Sequence, residues 1–425
     1  MSYIKDLIKK MLVAMSVRVL KKHTPYIIAI IGSVGKTTTR NTLYTVLSRK
    51  HSVRKAEQSL TTDIGVPLTL LGCPYPISTP KGIFRNIVAA IKQLYFSKTY
   101  PKYVILEIDG HMRGEIQRLA SWLPIDLLVV TAIGEIPSHV EHFERPDVLR
   151  EEYSYIRTAL KPDAKVVVYA DDEYAREIGG TEYPIVSYGS MSRADISASD
   201  YSIVYEQGLP AGISFSVTKP ASHTPIVMKG VLGLHVVNGV LSTIAILEAL
   251  GEHHFPINSL VEKMVPLPGR MRLIPGLKGS MIIDDSYNSS PVAIEELISV
   301  LTKLEVKRKI LVLADMLELG RFSAEAHREI GRECVGFDMV VCVGVRARFI
   351  KEGALEANVS PESVMHFDTP EKAGEYIQNM LNVGDVVAVK GSQNMRMERC
   401  VEEIMAEPEK KGKLLVRQTE EWLGR

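Results

Sequence analysis

Cysteine is scarce in this sequence. Its 425 residues contain four, Cys73, Cys334, Cys342 and Cys400, scattered and without a C-x-x-C pair. Such residues read as small buried hydrophobes of a reducing compartment rather than metal ligands, which places the chain in the cytoplasm. Charge of one sign is also missing: 51 Lys and Arg face 50 Asp and Glu, for a net charge of +1. No basic field argues for nucleic acid, and no acidic excess argues for disorder. Long apolar runs are absent too. The N-terminal stretch MSYIKDLIKKMLVAMSVRVLKKH is broken by Lys9, Lys10, Arg18, Lys21 and Lys22, so nothing approaches the roughly 20 apolar residues of a span. It carries no signal-peptide cleavage pattern. What remains is a basic amphipathic helix over residues 1–24, for which packing on the protein is favoured over lying on a membrane surface. No internal repeat or low-complexity tract stands out.

What is present is ordinary for a globular protein, 46% hydrophobic and 24% charged, and too long for one core. From residue 26 onward, short β-branched runs alternate with helical stretches, as in layered parallel α/β folds. YIIAII (26–31), KYVILEID (102–109), IDLLVVTAI (125–133) and AKVVVYA (164–170) read as strands, and TTTRNTLYTVLSRK (37–50) as a helix. Residues 183–230 alternate in the antiparallel manner and suggest a small sheet add-on. HVVNGVLSTIAILEALG (235–251) reads as a helix stopped by Gly251, and PLPGRMRLIPG (266–276) as a hinge. SMIIDDS (280–286), KILVLADM (309–316), DMVVCVG (338–344) and DVVAVKGS (385–392) then repeat the strand–helix pattern. The expected division is therefore an N-terminal helix (1–24), a central nucleotide-binding domain with a mostly parallel sheet (25–265), and a C-terminal Rossmann-like α/β domain (266–425).

Gly32-Ser33-Val34-Gly35-Lys36-Thr37-Thr38 lies between a buried strand and a helix. Backbone N–H groups at a helix N-terminus favour phosphate, so this is a P-loop in its required setting. Lys36 can reach the β- and γ-phosphates of ATP, and the Thr37 hydroxyl can hold Mg²⁺. The long form of the motif has glycine where this chain has Ile30, which makes the loop the shorter G-x-x-G-K-T-T form. A P-loop alone does not separate switches, motors, kinases and ligases, and no partner-sensing elements of a switch or motor follow it.

Further stretches follow in order: DIGVPLTLLG (63–72), LEIDGHMRGEI (106–116), PSHVEHF (137–143), GLHVVNGVLSTIAILEALG (233–251), LPGRM (267–271), IIDDSYNSSPVAIEELISVL (282–301), KILVLADMLELG (309–320) with His327 beyond it, and DVVAVKGSQNMRME (385–398). With the P-loop they resemble the Mur ligases of peptidoglycan precursor synthesis, from about residue 26 to the C-terminus. DDSYNSSP and ADMLELG are similar to the branch that adds D-alanyl-D-alanine. The resemblance implies that ATP phosphorylates a substrate carboxylate and that an incoming amine, an amino acid or a dipeptide, attacks the acyl phosphate to give an amide, ADP and phosphate. It implies metal-binding roles for Glu107 and His139 beside Thr37 and Lys36, adenine-side roles for His235 and Asn238, nucleotide contacts for Arg270 and Asp285, and a cleft lining of Tyr287 and Asn288. It also implies substrate-side roles for Asp315, Lys390 and Ser392. The simpler readings of the same residues are helix capping for His235 and Asn238, and solvated strand-end or hinge positions for the others.

Two departures accompany the resemblance. Family members carry a lysine about fourteen residues after the metal histidine, whose CO₂ adduct binds a second Mg²⁺; here that position is Tyr153, so that either Glu151 or Glu152 supplies the charge or the enzyme is one-metal or weakly active. The family's peptidoglycan ligases also carry an N-terminal domain that grips the UDP end of the substrate, whereas only about 25 residues precede the first strand here. UDP recognition is then lost, supplied by a partner chain, or replaced by contacts elsewhere. The alternatives are a folylpolyglutamate- or polyglutamate-type ligase, and a nucleotide-binding scaffold that has lost catalysis.

Overall fold

The computed structural model describes residues 2–56, 60–73, 80–135, 140–190, 194–219, 222–252, 261 and 266–424. The chain divides into two compact units, the first comprising Met1–Ala198, Val217–His223 and Asn238–Leu260, the second Ser199–Ser216, Thr224–Val237 and Val261–Arg425.

Six strands of the first unit are β1 (Tyr26–Ile31), β2 (Val53–Lys55), β3 (Tyr103–Glu107), β4 (Ile125–Val130), β5 (Leu160–Tyr169) and β6 (Ile185–Gly189). They lie in the order β2-β3-β1-β4-β5-β6, and every neighbouring pair is parallel. β1, β3 and β4 are almost wholly buried, which is why their sequences are continuous β-branched and Leu runs without alternation. Register pairs Ile30 with Glu107 and Ile31 with Val130, so the chain leaves β1, β3 and β4 at one common edge. Of the segment expected to form an antiparallel add-on, Ile185–Gly189 instead joins the parallel sheet through Val166↔Ile185 and Val167↔Val186. The remainder also begins parallel to β6, through Tyr188↔Ile196 and Gly189↔Ser197, before it turns back. β7 (Ile196–Glu206) turns into β8 (Leu209–Lys219) through Gln207 and Gly208, both at positive φ (52° and 78°), the geometry whose twist suits a two-residue antiparallel turn. β9 (Ser222–Lys229) follows.

The N-terminal helix α1 (Ser2–His23) packs on the protein, as favoured from its sequence. Leu12, Met15 and Val19 are buried with Leu68 and Leu71 of α3 (Gly65–Leu71), with Ala90 of α4 (Pro80–Ile91), and with Cys73 and Leu94. The Lys22 ammonium donates to the Leu94 carbonyl at 2.7 Å, and the His23 ring stacks on Tyr100 with centroids 5.0 Å apart. All four cysteines are free and buried; burial pushes the Cys73 thiol up to about 11 and the Cys342 and Cys400 thiols to about 12. They are inert packing groups.

Two helices frame the phosphate loop, α2 (Lys36–Leu47) and α8 (Leu234–Leu250). α8 begins in the second unit and continues in the first from Asn238. It meets α2 at Gly239, where an added Cβ would lie 2.6 Å from the Thr38 methyl, and the Ser242 and Thr39 hydroxyls are 3.0 Å apart. Only glycine permits that approach.

The second unit holds a six-stranded sheet in the order β10-β11-β15-β12-β13-β14. Its strands are β10 (Arg272–Pro275), β11 (Met281–Asp285), β12 (Arg308–Ala314), β13 (Met339–Val343), β14 (Val364–Phe367) and β15 (Asp385–Lys390). All pairs are parallel except β10, an antiparallel edge on β11. Part of the stretch expected to be a hinge, 266–276, is sheet. Residues 272–275 form β10, and the Gly269 and Met271 N–H groups are tied to the carboxylates of Asp284 and Asp285 at 3.0 and 3.3 Å.

Because Leu12 is 1% exposed, Leu12→Ala leaves a cavity under α1. Urea unfolding is expected to show a loss of about 2–4 kcal/mol; an unchanged midpoint would mean that α1 does not belong to the fold.

Candidate active site

The phosphate loop is held by the sheet beneath it. Gly32 is at φ 137°, and a Cβ there would lie 2.1 Å from the Thr131 hydroxyl. Ser33 and Val34 donate their N–H groups to the Ala132 carbonyl at 2.8 and 3.0 Å, so the loop is strapped to the end of β4. α2 starts at Lys36 behind Gly35, with no side-chain cap and no acidic residue in its first turn. Its first N–H groups, those of Lys36, Thr37 and Thr38, are the unpaired donors that an anion satisfies.

Around that helix end the first unit assembles a buried charge cluster. The Lys36 ammonium pairs with Asp109 Oδ2 at 2.8 Å and donates to the Gly32 carbonyl. The Tyr153 hydroxyl donates to Asp109 Oδ1 at 2.5 Å and lies 3.4 Å from the Gly32 carbonyl. Tyr153 is fully buried, and burial, together with the neighbouring Asp109, raises its phenol well above the ordinary value. It stays neutral and acts as a donor. Glu107, at the end of β3, offers Oε1 to Arg40 at 2.8 Å, while Oε2 accepts from the Thr37 hydroxyl at 3.2 Å.

Of the two glutamates expected to supply the charge, Glu152 is committed elsewhere. Glu152 is buried and accepts the N–H groups of Gly114 and Ile116 at 2.9 and 2.8 Å, at the start of α5 (Glu115–Ala120). Glu151 is exposed. The carboxylate beside Lys36 belongs instead to Asp109. No motif marks Asp109, because its partners Gly32, Lys36 and Tyr153 are remote in the chain and only the parallel register gathers them.

Mg²⁺ is a hard cation that keeps several waters and takes few protein oxygens beside phosphate. The Thr37 hydroxyl and Glu107 Oε2 form such an oxygen pair next to the helix end. Among the described residues no group of three or more His, Cys, Asp or Glu gathers in metal-binding fashion. His139, the other expected ligand, lies outside the described residues.

The remaining candidates gather in the second unit, apart from Asn238, which belongs to the first. His235 donates its backbone N–H to Glu296 Oε1 at 2.7 Å, and its Nδ1 lies 3.0 Å from the same oxygen. Burial pulls the imidazole down, but the charge of Glu296 and its hydrogen bond outweigh this and leave His235 raised. Glu296 lies on α9 (Pro291–Thr302); no motif announced it. Arg270 stacks on Tyr287, its guanidinium carbon 4.1 Å from the ring centroid, and is not a solvated hinge residue. Arg417, also unannounced, lies 5.9 Å from the same ring and donates to the Tyr287 carbonyl. Lys390 pairs with Asp285 at 2.6 Å and donates to the Asn288 carbonyl at 3.0 Å; the Asn288 side chain accepts the Gln393 N–H at 3.3 Å. The Ser392 hydroxyl accepts from the Leu317 N–H at 2.8 Å, and Asp315 accepts from the Ala347 N–H at 2.7 Å. His327 accepts the Met316 N–H at 2.9 Å and so holds the start of the MLELG loop. Among the described residues, His235 Nε2, Asn238 Oδ1 and Arg270 Nε are buried without hydrogen-bond partners. Buried polar atoms of this kind are ordinarily completed by ordered water or a ligand.

A strand–P-loop–helix unit with a lysine–carboxylate cluster, followed by a Rossmann-like unit carrying its own polar cluster, defines a nucleotide-dependent α/β enzyme. The Mur ligase middle domain matches residues 30–247, just over half of the chain, and the glutamate ligase domain of Mur ligases matches residues 269–393. The chain belongs to the Mur ligase family. It is 28% identical over 385 residues to the UDP-N-acetylmuramoyl-tripeptide–D-alanyl-D-alanine ligase of Bacillus subtilis, which covers 90% of this chain and 76% of that protein. Its fold matches the crystal structure of MurF ligase from Thermotoga maritima in complex with ADP at a TM-score of 0.77, with 24% identity, over 95% of this chain and 84% of that one. It also matches folylpolyglutamate synthase of Mycobacterium tuberculosis complexed with ADP and AMPPCP at a TM-score of 0.63, with 14% identity, over 90% of this chain and 93% of that one.

Two outcomes follow from these contacts. Tyr153→Phe removes a donor from a buried carboxylate and is expected to cost about 1–3 kcal/mol in thermal unfolding; wild-type stability would show that the hydroxyl does not hold Asp109. For the His235–Glu296 pair, a raised histidine contributes stability below about pH 6.5, its unfolded value, and loses it as pH rises through the folded value. The melting-temperature deficit of Glu296→Gln is therefore expected to be larger near pH 6 than near pH 8.5. A deficit independent of pH would remove the ion pair.

Proposed function

We propose that this protein is an ATP- and Mg²⁺-dependent ligase that joins a substrate carboxylate to an amine in peptidoglycan precursor synthesis, in the manner of the D-alanyl-D-alanine-adding Mur ligases. The observation that carries the reading is the Lys36–Asp109–Tyr153 cluster at the N-terminus of α2, with Thr37 and Glu107 beside it, in a chain of this family. The carboxylate oxygen attacks the γ-phosphorus of ATP, the bond to the bridging oxygen breaks, and ADP leaves. The amine then adds to the carbonyl carbon of the acyl phosphate, gives up a proton, and expels phosphate as the amide forms. The N–H groups of α2 hold the phosphates, and Lys36 exchanges Asp109 for the charge that develops on the transferring group. Thr37 and Glu107, with His139, would hold the cation, which when bound offsets phosphate charge. Asp109, held by Tyr153, supplies a fixed negative charge near Lys36 where the family resemblance has a CO₂ adduct of lysine. His235, Asn238, Arg270, Asp285, Tyr287 and Asn288 receive the nucleoside, in keeping with the orphaned atoms of three of them. Asp315, Lys390 and Ser392 face the amine substrate, in a C-terminal domain that begins near residue 266.

The test is ATP-dependent phosphate release with UDP-muramoyl tripeptide and D-alanyl-D-alanine, with the amide product read by mass. Stimulation by that pair, and its loss by at least about 1,000-fold in Lys36→Ala, is expected. Stimulation by glutamate with a folate acceptor instead would transfer the chain to the polyglutamate-forming branch. No stimulation by any carboxylate–amine pair would leave a nucleotide-binding scaffold.

A further inference from the structure

The chain is neutral overall but not along its length. Residues 1–106 contain 17 Lys and Arg against 3 Asp and Glu, an excess of 14 positive charges, whereas the whole chain carries +1. From Ile64 to Leu106 there is no acidic residue at all, while Lys81, Arg85, Lys92, Lys98 and Lys102 fall within that run. This run contains α4.

α4 and the π-helical turn Lys92–Phe96 that continues it are apolar on two sides. One side is covered, since Ala90 and Leu94 are buried with Leu12, Met15 and Val19 of α1. The other carries Phe84, Val88, Ile91 and Tyr95 at spacings of four, three and four, one helical stripe, with Phe96 beside them. They are 67%, 49%, 40%, 64% and 76% exposed. A helix that is apolar on both sides is ordinarily covered on both. Lys92 and Lys98, adjacent in sequence to the stripe, are exposed, and so elsewhere on α1 are Lys10, Arg18 and Lys21.

We propose that this stripe is a docking surface for an anionic lipid bilayer, on which α4 lies in the interface plane with Phe84, Tyr95 and Phe96 in the headgroup region. The composition is that of an interfacial helix: aromatic and aliphatic residues on the outer face, lysines at its flanks, and no carboxylates to repel lipid phosphates. No helix among the described residues is long and apolar enough to cross a membrane, so the contact is peripheral. A second copy of the chain fits the stripe poorly, because it would set two strongly basic regions face to face. The basic N-terminal helix, the more obvious membrane candidate in the sequence, instead spends its apolar face on the protein and presents α4 outward. The proposal does not depend on which substrates the ligase joins.

The experiment is flotation of the full chain with phosphatidylcholine vesicles that contain about 30% phosphatidylglycerol, beside vesicles of phosphatidylcholine alone. Binding to the anionic vesicles at about 0.1 M salt and release at about 0.5 M are expected. Phe84→Ser with Phe96→Ser should lower partitioning by about 30-fold, and Lys92→Glu with Lys98→Glu by at least about 30-fold. All four positions are exposed, so both double variants should melt as the wild type does. Failure to float with anionic vesicles, equal binding to the neutral ones, or wild-type partitioning of the serine variant would overturn the proposal. So would a concentration-dependent dimer in sedimentation that the serine variant disperses, because the stripe would then belong to a second copy.

Discussion

A lysine ammonium in a protein interior must be paired, and each unit of this molecule is arranged around one such pair. In the first, Lys36 is 7% exposed and pairs with Asp109; in the second, Lys390 is 2% exposed and pairs with Asp285. Removing either partner would leave a buried charge uncompensated, a cost of several kcal/mol. The constraint reaches outward from each pair. Asp109 must be held by Tyr153 and Gly110, and Asp285 by the N–H of Met271. Both pairs lie where parallel strands end. That is the edge at which open α/β sheets place their ligands, because the loops there are the only ones that neighbouring strands bring together.

The same constraint explains why the ligand-facing groups can be both fixed and exchangeable. Lys36 has a carboxylate partner when phosphate is absent, so the loop need not rearrange or unfold to bury its charge. On the proposed function, a phosphate entering at α2 would compete with Asp109 for one ammonium, while the loop is already strapped to the Ala132 carbonyl. The cost of assembling the cradle is met during folding rather than at binding.

Much of this was legible in the sequence where the signal is local. The buried strands announced themselves as β-branched runs, and the loop as G-x-x-G-K-T-T between a strand and a helix. What was not legible depends on contacts between distant segments. β2, three half-buried residues, carries no apolar run. β10 looked like a hinge because Pro and Gly flank it, yet an edge strand tolerates both. Asp109 closes the run KYVILEID and Glu296 lies within PVAIEELISVL, and no motif marks either. Each acquires its partner only through the fold. Glu152 misled in the opposite direction: its position one residue before Tyr153 suggested a charge for the phosphate site. A single helical step of about 100° turns neighbouring side chains to different faces, however, and the carboxylate went to the start of α5.

That step also bears on the Tyr153 position. A phenol has no charge to give at neutral pH, and burial with Asp109 as neighbour pushes its ionisation further away. Tyr153 therefore does not replace an anionic group by itself. It works one bond removed, by donating to Asp109 and fixing which oxygen faces Lys36. An anion built in this way is permanent, since it needs no small molecule to create it, and its orientation is set by packing rather than by occupancy. The tyrosine and the aspartate thus become intelligible as a pair, although neither residue alone explains the contact with Lys36.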